Sequence, residues 1–170
     1  MVGSLINATL AWMHIVSAIG WMGSTIFFTM VVAPMMRDLS PQTRSEFSIK
    51  MTPKFSRFVS IFAILTIVFG FALVLNLTQG NLAALAPTTI WGTGMTGGMT
   101  LTIIGIVLGF GVAIPTSNKM VKLAREMQSN PQSTVMAQMP KLQKRMAITS
   151  MTILVLQFCI VAFMVVAARI

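Results

Sequence analysis

Acidic residues are nearly missing from this chain of 170 residues: Asp38, Glu46 and Glu126 are the only three. There is one histidine, His14, one cysteine, Cys159, and no tyrosine. Each scarcity removes a class of chemistry. A single cysteine rules out an internal disulfide framework and any cysteine-based zinc knuckle. Three acids scattered outside the apolar runs leave no carboxylate pair for acid and base work. No glycine-rich loop leads into a lysine in the phosphate-binding pattern, and no serine, histidine and acid can meet. A proton relay through intramembrane carboxylates has no residues to run on. These absences point away from an enzyme.

What the chain has instead is apolar length. It is 55% hydrophobic and 9% charged, with a mean hydropathy of +0.84, the profile of a membrane protein. Four runs reach the roughly twenty residues that a spanning helix needs, at about 5–36, 58–78, 93–114 and 146–168. An all-α bundle of four transmembrane helices, forming one integral membrane domain, is therefore expected. The first run lacks a basic lead-in and is longer than a signal-peptide core, so it is read as a retained span.

A net charge of +9 suggests nucleic acid in a soluble protein, but its placement argues otherwise. Arg37, Arg44, Lys50, Lys54 and Arg57 fall between the first and second spans. Lys119, Lys122, Arg125, Lys141, Lys144 and Arg145 fall between the third and fourth. The amino-terminal tail and the stretch from Gln79 to Trp91 have none. The positive-inside rule then places both basic loops in the cytoplasm and both termini outside. Anionic lipid headgroups, rather than nucleic acid, are the expected partners of this charge.

The loops carry their own signals. Ser40–Pro41 is a helix start, and Thr52–Pro53 repeats it, predicting a short interfacial helix and then a turn into the second span. Met120, Leu123, Ala124 and Met127 share one face of a second amphipathic stretch, which Asn130–Pro131 and Pro140 should break. Asn76 to Gly80 stops the second span. The apolar segment after it, with Leu82, Leu85, Ile90 and Trp91, suits a surface lying on the membrane, on the bundle or on a partner. No internal repeat is visible in the sequence.

The third span pairs Gly94 with Gly98 and Gly105 with Gly109, spacings that let helix backbones approach closely, within the chain or between copies. His14 falls roughly 13 Å into the first span, near the midplane, where an ionisable side chain is a functional-site hypothesis by default. Ser17, Trp21 and Ser24 continue its stripe toward the bundle interior. Rise per residue puts Thr102, Met99, Cys159 and Gln157 near its depth, with Gly70 leaving room beside the ring. Imidazole with thioether or thiolate suits copper, so His14, Met99 and Cys159 form a candidate copper set. His14 with Gly70 and Trp21 is a candidate haem site. The structural alternative is a histidine that pins the first helix to Gln157 or Thr102, with Cys159 a small buried hydrophobe.

The first helix resembles the CopD-like group of small bacterial and archaeal membrane proteins. The matching features are His14, Gly20-Trp21-Met22-Gly23, Pro34, the basic stretch through Arg44, Phe47 and Arg57, and Gly70. The resemblance implies a four-helix membrane module with a copper-transport role, some distant relatives of which bind haem, and it carries over His14 as a ligand. A second histidine, an external methionine-rich domain and the leucine-proline-arginine pattern of the haem-pathway oxidase are all missing. A third expectation is a non-catalytic accessory subunit of a larger membrane complex.

Overall fold

A computed structural model describes residues 2–130 and 137–168. Its elements in chain order are α1 (Val2–Phe27), a π-helical segment (Phe28–Val32), α2 (Ala33–Met35) and α3 (Pro41–Leu77). A 3-10 turn (Leu82–Leu85) leads to α4 (Ile90–Leu108), a second π-helical segment (Gly109–Ala113), α5 (Ile114–Ser129) and α6 (Met139–Ala168). These join into four helices long and apolar enough to cross a membrane, Gly3–Met35, Pro41–Leu77, Ile90–Ser129 and Met139–Ala168. The chain is an all-α, four-helix, multi-pass membrane protein by length and composition.

The helices pack as two hairpins. α1 lies along α3 and α4 along α6, and each pair is in far closer contact than the hairpins are with one another. In the first hairpin Gly20 admits the Phe62 ring against the α1 backbone. In the second, a Cβ on Gly94 would sit 3.0 Å from the Phe163 carbonyl oxygen and from Ala167. Gly98 meets Met164 in the same seam. These two glycines pack within the chain, whereas Gly105 and Gly109 have nothing within 4 Å of a Cβ and face open space.

The two π segments have a common cause. Proline lacks the amide proton and its ring collides with the carbonyl four residues back. For Pro34 that carbonyl belongs to Met30, and for Pro115 to Gly111, each in the middle of a π segment. Widening the turn moves the carbonyl away from the ring, and the Ala33 and Ile114 amides bond five residues back, to Phe28 and Gly109. Both hairpins thus begin with a descending helix that widens and meets a proline two residues later. No sequence repeat marks this correspondence.

The expected short interfacial helices are not separate elements. Ser40 does cap a helix, its Oγ accepting from the Thr43 amide at 3.2 Å, but that helix runs unbroken through Pro53 to Leu77. The 37 residues span about 56 Å, well beyond a bilayer core. Likewise α5 extends the third span, and its apolar face, with Val121, Leu123 and Ala124 buried, packs on α3 rather than on lipid. Ser45 Oγ donates to the Ala124 carbonyl at 3.3 Å across this contact. That packing holds α3 helical across Pro53, which forfeits one backbone hydrogen bond. Pro131 lies outside the described residues. At the opposite end, the apolar turn Leu82–Leu85 folds on α4, where Thr96 Oγ1 donates to the Leu85 carbonyl at 2.5 Å.

Candidate functional site

His14 sits in the first hairpin, half-buried, with its ring against α3. Its Nδ1 lies 2.8 Å from the carbonyl oxygen of Thr66. A carbonyl only accepts, so the hydrogen is on Nδ1 and, in the neutral ring, the lone pair is on Nε2. Among the described residues nothing hydrogen-bonds Nε2.

Gly70 makes this contact available. A helical side chain leans toward the amino terminus and covers the turn before it, so a side chain at position 70 would cover the Thr66 carbonyl. With glycine there, the imidazole takes that place: a Cβ on residue 70 would lie 2.7 Å from both Cε1 and Nδ1 of His14. The room beside Gly70 is therefore filled by the histidine itself. Thr66 is buried and turns its own Oγ1 back to the Phe62 carbonyl at 2.7 Å.

The depth of His14 differs from expectation. Gln157 Nε2 reaches Thr25 Oγ1 at 3.4 Å, which sets α6 and α1 level at those residues. His14 is eleven residues farther along α1, about 16 Å, and Ala168, where α6 ends, is eleven residues beyond Gln157. His14 is thus level with the end of the second hairpin, opposite the basic loops, and not at mid-bundle. The first hairpin stands higher than the second, an offset that span lengths alone do not reveal.

The other candidate residues are consequently dispersed. Cys159 is two residues from Gln157, about 13 Å below His14, and is exposed on the bundle surface rather than buried. Met99 follows Gly98 and lines a recess beneath the Leu82–Leu85 turn, together with Thr96 and Ile103. Thr102 turns back to the Gly98 carbonyl at 2.8 Å. Neither Gln157 nor Thr102 pins His14; its partner is the Thr66 carbonyl. Among the described residues no group of three or more histidine, cysteine, aspartate or glutamate side chains stands together. The polar stripe of α1 does face inward: Ser17 and Trp21 are buried, and Ser24 donates to the Gly20 carbonyl.

A second feature had no signal in the sequence beyond glycine spacing. Between the hairpins, in the half nearer the basic loops, is a cavity bounded by Trp21 and Thr25 of α1, by α3, and by Gly105 and Gly109. Both π segments contribute to its wall, through Phe28 and Phe110. Ser117 lines it, 3% exposed, with no hydrogen-bond partner for its Oγ among the described residues. His14 is not part of it. No family model, curated protein or solved structure matches this chain.

Proposed function

We propose that this is a CopD-like protein of a prokaryotic plasma membrane in which His14 supplies one imidazole ligand to copper, the remaining ligands coming from outside the chain. The observation that carries the proposal is the anchored ring. A ligating histidine characteristically donates its other N–H to a carbonyl, which fixes tautomer and orientation, and Nδ1 of His14 does so with Thr66. Nε2 is left as a lone-pair donor level with the end of the second hairpin, on the side opposite the basic loops, which the charge pattern favours as the outer one.

The donor set decides between a closed site and a shared one. Met99 and Cys159 do not stand with His14, so a copper cage built by one chain does not fit these residues. A site completed by a second copy or by a subunit of a larger membrane complex does fit, and it joins the copper role to that of an accessory subunit. Copper held there would supply soft-ligand binding or one-electron chemistry. Haem fits less well, because the imidazole occupies the space over Gly70 and Trp21 lies two turns away against the cavity. The basic residues of the two cytoplasmic loops hold the protein against anionic headgroups.

The test is metal analysis, with oxidised and dithionite-reduced visible spectra, on protein gently extracted from its native membrane. Copper present in wild type and lost in His14→Ala is the expected result. A Soret band lost in that variant replaces copper with haem. Colourless, metal-free wild type from copper-replete cells overturns both and leaves the accessory role.

A further inference from the structure

The cavity between the hairpins has about 100 Å³ open to the centres of water-sized molecules. That approaches the scale at which apolar cavities take up a single aromatic ring, roughly 150 Å³. Its walls are mainly apolar and carry the rings of Trp21, Phe28, Phe55 and Phe110, with Phe28 and Phe55 stacked at 4.4 Å. Among the described residues no charged side chain lines it, so an ionic occupant would enter without a partner.

One hydroxyl marks where a ligand's polar atom would go. Helical hydroxyls in this chain commonly donate to the carbonyl four residues back, as Thr25 does to Trp21 at 3.0 Å and Ser60 to Ser56 at 2.7 Å. For Ser117 that carbonyl is Ala113, the last residue of a π segment, and the bond is not made. Its Oγ is left buried and unpartnered on the cavity wall. A buried hydroxyl without a partner is destabilising, and a bound acceptor would offset that loss. Behind Thr25, the buried Gln157 Oε1 also has no partner among the described residues.

We infer that this cavity binds a neutral, lipid-soluble molecule with a single ring and a hydrogen-bond-accepting oxygen, the chemistry of a quinone headgroup. The ring packs against Phe28, Phe55 and Phe110 and its oxygen accepts from Ser117 Oγ, while the tail runs along the cavity past Gly105 toward Trp21. The site is separate from His14, so its failure and the failure of the copper proposal are independent.

Trp21 reports on the cavity once Trp12 and Trp91 are replaced by phenylalanine, and quinones quench indole fluorescence. The full chain in nanodiscs is titrated with a decyl-substituted benzoquinone. Saturable quenching is expected, with affinity weakened roughly fivefold by Ser117→Ala, the loss of about one hydrogen bond. Gly105→Leu, whose side chain projects into open space on the cavity wall, should abolish saturation while leaving the protein monodisperse. Quenching that rises linearly and equally in all forms is partition into lipid and overturns the inference. Saturation unaffected by either variant puts the quinone elsewhere and overturns it too. Should Gly105→Leu misfold, wild-type saturation and the Ser117→Ala shift decide alone.

Discussion

At the residue scale the placement of the His14 ring rests on an exchange between one side chain and one missing side chain. Gly70 does not serve the α3 backbone, which is an ordinary helix there; it exposes the Thr66 carbonyl to an imidazole from another helix. Gly70→Ala should therefore cost about 1–3 kcal/mol, as overpacking does, while His14 is present. In a His14→Ala background the same change should cost almost nothing, because the ring it collides with is gone. Unfolding of the four forms in detergent, read as a double-mutant cycle, measures this coupling. Additive costs would mean that the ring and the glycine do not meet. Ser117 offers the opposite case. Since its Oγ has no partner to lose, Ser117→Ala should be neutral or stabilise by up to about 1 kcal/mol in ligand-free protein, by the same unfolding measurement. A loss above 1 kcal/mol would show that the hydroxyl has a partner after all.

At the element scale the four glycines of the third span divide into two pairs with different work. Gly94 and Gly98 allow α6 to approach, whereas Gly105 and Gly109 leave the cavity open. Gly94→Val would drive a branched side chain into the α6 backbone and should cost about 2–4 kcal/mol, beyond the usual 1–3 for overpacking because backbone cannot rotate aside. Gly105→Ala meets nothing and should gain up to about 1 kcal/mol from helix propensity. Thermal unfolding of the two variants should move in opposite directions. Glycine spacing made close approach legible in the sequence but could not separate the pairs, because four-residue spacing is the same whether a neighbour or a void lies opposite. The caps show a similar limit. Ser40–Pro41 was legible as a helix start, yet Thr52–Pro53 was not legible as continuous helix, since the packing of α5 on α3 that overrides the local signal joins residues far apart in sequence.

At the scale of the whole molecule, hydropathy made four spans legible because each must cross an apolar layer unaided, whatever its neighbours. Relative height is not set that way. It depends on seams such as Gly94 against Phe163 and Thr25 against Gln157, and these raise His14 to the end of the second hairpin. Which side of the membrane that end faces is then decided by charge. Five basic residues in one loop and six in the other, against none in the Gln79–Trp91 stretch, favour retention of both loops in the cytoplasm. α5 strengthens the case, because its exposed Lys119, Lys122 and Arg125 ride on a helix already packed to α3, so both loops must share a side. In a Cys159→Ser background, Asn81→Cys should react with a membrane-impermeant maleimide on intact cells, and Lys122→Cys only after permeabilisation. The reverse pattern would turn the protein over and present His14 to the cytoplasm.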